Sequence, residues 1–247
     1  MQISRVVFLG TGDAYSAYGR LNAAYLIEGS EGSLLLDCGP TFLAALNREK
    51  LSTDPIDAVF ITHLHGDHFG GLPFLFLHLC YIEPRSRPLT LIGPPGIESR
   101  VMRLYRTMYA DSAEEPRPYA VHFVESHPGE QLLYSGMQII PFNVPHQQNP
   151  PSYGVELKAG GRKIVFTGDS GWTEDLATHT QGADLFICEC SFFETRLPTH
   201  LDYIRIAENL ARFGAKRTIL THLGVEVLER QEEIEIETGY DGLVVTF

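Results

Sequence analysis

The segment Thr62-His63-Leu64-His65-Gly66-Asp67-His68 places three histidines and a carboxylate within six residues. It directly follows the apolar run 58–62, which reads as a buried strand. Four ligand-type side chains this close cannot all be core residues, because each would need its own buried polar partner. A loop at a strand end can instead turn them toward one cleft. Imidazole and carboxylate together suit Zn²⁺, Mn²⁺ or Fe²⁺. Histidine makes up 10 of the 247 residues, so three in six argues against a polar surface loop that merely happens to hold them.

Three more candidates share this context. His146 ends the apolar run 140–145, Asp169 follows 164–168, and His222 follows 218–221. Each is a metal-type side chain at the C-terminal tip of a strand, where chains commonly place functional groups. Singly, each has an ordinary alternative: a surface histidine for His146, a turn-former before Ser170-Gly171 for Asp169. His78, His122, His127 and His179 lack that context and read as non-ligands.

The elements that must position these groups are short and alternate in type. Apolar runs at 6–9, 24–27, 34–37, 58–62 and 89–92 predict strands, and 41–50, 67–81 and 96–109 predict helices. Residues 111–118 read as a loop. Strands follow at 139–144, 152–158, 163–167, 184–188, 217–221 and 243–247. An amphipathic helix is expected over 200–213, with Thr199 as N-cap and Gly214 as its stop. Cys188 and Cys190 alternate on one strand, so only one of them is expected to face the site. This order predicts two packed β-sheets with helices outside, an α/β sandwich. No repeat and no linker divides the chain, so one domain over 1–247 is expected.

Composition limits the function classes. The chain carries 31 acidic and 19 basic residues for a net charge of −12, with 44% hydrophobic and 20% charged residues, which is ordinary globular composition. Half of that excess lies in 226–241, with seven acidic residues and Arg230. No basic run advertises a large nucleic-acid footprint. The longest apolar stretch, 72–82, is too short for a membrane span and is interrupted by Pro73 and His78. No secretory leader is read at the N-terminus. Cys38, Cys80, Cys188 and Cys190 form no CxxC pair, so reduced thiols in the cytoplasm are expected.

His63-Leu64-His65-Gly66-Asp67-His68, then His146, then Thr167-Gly168-Asp169-Ser170, then Leu220-Thr221-His222-Leu223 resembles the metallo-β-lactamase superfamily, in order and across nearly the whole chain. The resemblance implies a four-layer αββα sandwich that holds two divalent ions at one sheet edge, zinc first, with manganese or iron as alternatives. Carried over by motif, His63, His65 and His146 would bind the first ion, and Asp67, His68 and His222 the second. Asp169 would bridge both. Asp37 matches a carboxylate that orients a ligand histidine.

Finer features resemble ribonuclease Z: Leu9-Gly10-Thr11-Gly12-Asp13 with Arg20 and Asn22, Cys188-Glu189-Cys190-Ser191-Phe192, and Pro198-Thr199-His200. They imply a Glu189–His200 pair that assists the scissile phosphate. A carboxylate holding an imidazole favours its protonated form and so makes a proton donor. The chain departs from ribonuclease Z in having Pro40-Thr41-Phe42 after Gly39, and in lacking a basic insertion between Gly96 and His146. The expected function is a metal-dependent phosphodiesterase acting on small or single-stranded phosphodiesters, with Asp67, Glu189 and His200 as catalytic groups. The alternatives are a ribonuclease Z-type tRNA 3′-end endonuclease, a hydrolase of sulfate esters, lactones or β-lactams, and a non-catalytic ligand-binding member. A homodimer is a further expectation from the resemblance, and no membrane partner is expected.

Overall fold

The computed structural model describes residues 2–247. Its first half runs β1 (Ile3–Gly10), β2 (Ala24–Gly29), β3 (Gly32–Leu36), α1 (Phe42–Arg48), β4 (Ile56–Phe60), α2 (Gly66–Phe69), α3 (Leu72–Tyr81), β5 (Leu89–Gly93), α4 (Ile97–Met108), α5 (Ala110–Glu114) and β6 (Val121–Glu125). The second half runs β7 (Leu132–Tyr134), β8 (Met137–Gln148), β9 (Pro151–Ala159), β10 (Arg162–Phe166), α6 (Asp175–Thr180), β11 (Leu185–Glu189), α7 (Tyr203–Phe213), β12 (Thr218–Thr221), α8 (Val225–Glu229) and β13 (Leu243–Thr246).

The strands form a seven-stranded sheet, ordered β13-β1-β2-β3-β4-β5-β6, and a six-stranded sheet, ordered β12-β11-β10-β9-β8-β7. β3 to β6 are mutually parallel, and so are β10, β11 and β12. Parallel neighbours deliver their C-terminal ends to the same edge. That edge is where the histidines and carboxylates collect.

Period-two alternation builds the layers. Val6 and Phe8 face the other sheet and join Phe166 and Ile187 in the inner core. Their neighbours Val7 and Leu9 face outward and pack with Leu46 of α1 and Phe76 of α3. On the second sheet, Val165, Phe186 and Leu220 face outward against Ile206 and Phe213 of α7. Helix, sheet, sheet and helix are therefore stacked as an αββα sandwich. The large inner side chains Tyr25, Phe60 and Phe166 are buried, and each burial stabilises the fold by about 2–3 kcal/mol. Tyr25 from β2 also meets Thr221 of β12 through a 2.7 Å hydroxyl–hydroxyl hydrogen bond, which joins the two sheets next to the strand tips.

Several local expectations are corrected. The helix expected over 67–81 is two helices, α2 and α3. Pro73 at the start of α3 has no N–H to continue an uninterrupted helical ladder. The helix expected from His200 starts at Tyr203, because Asp202 caps it and its side chain accepts from Arg205 N at 2.9 Å. Gly214 ends that helix in the left-handed region, as expected. Part of the expected loop 111–118 is helical in α5. Cys188 and Cys190 both lie in the outer apolar layer, since residues two apart on a strand share a face; Glu189 between them takes the other side. No helix among the described residues is long and apolar enough to cross a membrane.

Candidate metal centre

Each group in the centre is delivered by a strand end. His63 and His65 lie in the loop after β4, and Asp67 and His68 on the short helix α2. His146 sits near the end of β8, where the pairing with β9 shifts register between Val144 and Gln148. Asp169 follows β10 through Gly168, whose φ is +58. A Cβ there would stand 2.8 Å from Tyr153 O and 2.9 Å from Thr62 Cβ, so glycine is required to turn the chain into the cleft. His222 follows β12 directly, with φ 54. Asp37 follows β3 with φ 55.

Three groups of donor atoms converge. His63, His65, His146 and Asp169 form the first, Asp67, His68, Asp169 and His222 the second, and Glu189, His200 and His222 a third beside them, with the donor atoms in each lying within 4.8 Å of one another. Asp169 belongs to the first two. Its Oδ2 is 3.7 Å from His63 Nε2 and 3.8 Å from His146 Nε2, while its Oδ1 is 3.2 Å from His68 Nε2 and 3.3 Å from His222 Nε2. Asp67 Oδ2 lies 3.2 Å from His68 Nε2 and 3.3 Å from His222 Nε2.

The outer nitrogens of the rings are tied down. His68 Nδ1 donates to Asp37 Oδ2 at 2.7 Å. Thr62 Oγ1 donates to the same carboxylate at 2.9 Å and faces His63 Nδ1 at 3.1 Å. His146 Nδ1 donates to Thr199 O at 2.8 Å. The Gln147 amide nitrogen lies 2.6 Å from His65 Nε2, while its buried oxygen has no partner. A half-turn of that amide makes the oxygen the acceptor for an Nε2–H and leaves Nδ1 free. Each tie directs the other ring nitrogen into the cluster.

Charge is distributed unevenly. Burial, then neighbouring His68, pushes His63 well below its usual pKa, and burial with His146 lowers His65. Burial also lowers His146, against the pull of Asp169. These three rings are neutral and offer lone pairs. Burial opposes protonation of His222, but Asp169 and Asp67 outweigh it and raise its pKa to about 9. His68 is likewise raised, with Asp169, Asp67 and Asp37 overcoming burial. Burial would raise Asp169, yet His222 and His68 hold it well below the usual carboxylate range.

This donor set fits divalent ions on its own geometry. His63 Nε2 and His146 Nε2 both point at His65 Nδ1, at 3.1 and 3.0 Å, and neutral rings tied as above have no protons to place there. Buried His68 Nε2 and Asp169 Oδ1 make no aligned hydrogen bond. Cations placed among these atoms would satisfy groups that are otherwise costly to bury.

Beside the cluster, Glu189 ends β11 and is fully buried. Its Oε1 accepts from His200 Nδ1 at 3.0 Å and from Ser170 N at 2.8 Å. Burial would lower the His200 pKa, but the hydrogen bond to Glu189 and its charge raise it. A cleft of about 550 Å³ opens over the centre, lined by Asp67, Asp169, His200 and His222, with Tyr15, Phe192, Leu197 and Val225 toward its mouth. No Lys or Arg lines it.

All seven residues expected from the sequence as ligands thus lie in one cluster, with Glu189 and His200 adjoining it. His78, His122, His127 and His179 lie outside these groups; His179 instead pairs with Glu156 and stacks on Phe142. Sequence reasoning missed Thr62, Ser191, Gln147 and the Thr199 carbonyl. The signal available for the hydroxyls was their position, one residue before His63 and two after Glu189.

An αββα sandwich with a His/Asp cluster at its parallel strand tips defines a metal-dependent hydrolase of the metallo-β-lactamase fold. The chain belongs to the family described as Anti-Pycsar protein Apyc1, which matches residues 4–244. A ribonuclease Z from Lachnoclostridium phytofermentans is 28% identical over 285 aligned positions, covering 94% of this chain and 91% of that protein. Human tRNase Z, short form (ELAC1), superposes with a TM-score of 0.76 at 29% identity, covering 98% of each chain. The metallo-β-lactamase fold protein YhfI from Bacillus subtilis superposes with a TM-score of 0.80 at 22% identity over 100% of both chains.

Proposed function

We propose that the protein is a phosphodiesterase using two divalent ions, zinc first, to hydrolyse small or short single-stranded phosphodiesters. His63, His65, His146 and Asp169 would hold one ion, and Asp67, His68, His222 and Asp169 the other. Bound there, the ions supply Lewis acidity and water of lowered pKa. Asp67 lines the cleft and orients the attacking water.

The observation that carries the reading is the Glu189–His200 pair, 3.0 Å apart. Because Nδ1 of His200 is bound to Glu189, Nε2 is left for the cleft. Burial opposes protonation, but the hydrogen bond to Glu189 and its charge outweigh it and raise the pKa of the ring, which favours the protonated form that a leaving alkoxide needs. The absence of Lys and Arg from the cleft supports a substrate with a single diester charge and an apolar or aromatic group for the mouth. Four free cysteines support the cytoplasmic expectation.

A tRNA 3′-end endonuclease is the second reading, favoured by likeness to ribonuclease Z and to human tRNase Z. The net charge of −12 and the cleft without cations weigh against it.

The test compares leaving groups. Proton donation by a general acid is worth about 10²–10⁴-fold. His200→Ala should lose that factor on a nucleotide diester and keep most activity on bis-p-nitrophenyl phosphate, whose leaving group is stable as an anion. A uniform loss on both would assign His200 to phosphate binding, and no loss on either would remove the main support for phosphodiester chemistry. A tRNA precursor in the same panel decides the second reading.

A further inference from the structure

We propose that Ser191 is a positioning residue through which Glu189, the buried carboxylate that holds the proton donor His200 directly, also sets the metal centre. The inference rests on reading His222 as a ligand and His200 as the donor. Ser191 Oγ donates to Glu189 Oε2 at 2.8 Å. Its backbone N donates to the same oxygen at 3.1 Å, so residue 191 grips that carboxylate oxygen with both of its donors. His222 Nδ1 lies 3.0 Å from Ser191 Oγ, and His200 Nδ1 lies 3.3 Å from it.

A serine hydroxyl has one proton and two lone pairs. With the proton directed at Glu189, Oγ is an acceptor toward His222, which therefore carries its proton on Nδ1. Nε2 is then the nitrogen left for a metal ion, and it is the one that faces Asp67 and Asp169. The backbone does not guarantee this pose. His222 occupies the left-handed region at φ 54, an uncommon conformation for a non-glycine residue. His222 is buried, and the serine hydroxyl is the partner that the fold supplies to Nδ1.

The same arrangement appears on the opposite side of the centre. Asp37 holds His68 directly and reaches His63 through the Thr62 hydroxyl. Two buried carboxylates thus each hold one histidine directly and a second through a hydroxyl. On the Glu189 side the direct partner is the donor, so the geometry links donor and ligand.

The experiment titrates purified, metal-free protein with zinc against a chromophoric chelator, without substrate, for wild type and for Ser191→Ala, Ser191→Thr, His222→Ala and His200→Ala. Removing a group that orients a ligand costs about 10–100-fold in metal affinity. Ser191→Ala should lose that much for one of two ions, Ser191→Thr should recover most of it, and His200→Ala should leave both affinities unchanged. Wild-type affinity in Ser191→Ala, with a normal loss in His222→Ala, would overturn the role of Ser191 and spare the ligand reading. Wild-type affinity in His222→Ala would overturn the ligand reading itself. Should Ser191→Ala fail to fold by circular dichroism, Ser191→Cys, similar in size with a weak acceptor, is read in its place. Its expected loss is the same, and wild-type affinity would refute the proposal.

Discussion

Asp169 presents one oxygen to His63 and His146 and the other to His68 and His222. Its replacement removes a donor from each of the two proposed ion sites, whereas His222→Ala removes one donor from one of them. Asp169→Ala should therefore cost at least ~10²-fold in turnover, beyond the ~10–100-fold expected for an outer group, and exceed the loss in His222→Ala. Turnover and metal content of the two variants check this; equal, mild effects would refute a bridging role. At this scale the sequence was most legible where chemistry is dense. The run from His63 to His68 stands out because four polar ligands follow an apolar strand. Ser191 and Thr62 were marked in the sequence only by their position beside His63 and Glu189, since a hydroxyl looks the same whether it satisfies its own backbone or holds a ring.

Among the elements, the long and strongly patterned strands were readable, and the ones missed are short or weakly buried. Leu132–Tyr134 has three residues, and Val121–Glu125 has no buried position. The start of α7 was misplaced because Thr199 and Asp202 are both acceptable caps; the Thr199 carbonyl instead accepts from His146. One fastening between elements has a measurable consequence. Glu156 on β9 accepts from His179 of α6 at 2.6 Å and pairs with Lys158 at 2.7 Å. Burial opposes its ionisation, but these partners lower its pKa from 4.5 to about 2. A carboxylate with a depressed folded-state pKa contributes stability above about pH 4.5, and the contribution fades as the pH falls toward 2. The shift sets a ceiling of about 3 kcal/mol, which solvent screening reduces to about 1–2 kcal/mol. Glu156→Gln should destabilise the fold by that amount at pH 7 and by much less at pH 3, as measured by urea unfolding at both values.

Over the whole molecule, much of the acidic excess in 226–241 is engaged. Glu226 accepts from Phe193 N and Thr195 Oγ1, Glu237 pairs with Arg217, and Asp241 accepts from Thr11 and Leu21. This segment leads into β13, which pairs with β1. The layering itself was legible, because alternation within strands and apolar faces on helices leave few other ways to bury both surfaces of two sheets. One consequence of the layering concerns mechanics. His63, Asp67 and His68 belong to the edge of one sheet, and His146, Asp169 and His222 to the edge of the other. Metal held among them would act as a rivet through a seam that is otherwise closed by side-chain packing and by contacts such as Tyr25 to Thr221. A ligand present at a thousand times its Kd stabilises the folded state by about 4 kcal/mol, which for a chain of this size corresponds to a Tm shift on the order of 10 °C. Chelation should lower the melting temperature by that much, and the amide hydrogens to regain exchange first should be those of the strand tips along the seam, while the far edges of both sheets stay protected.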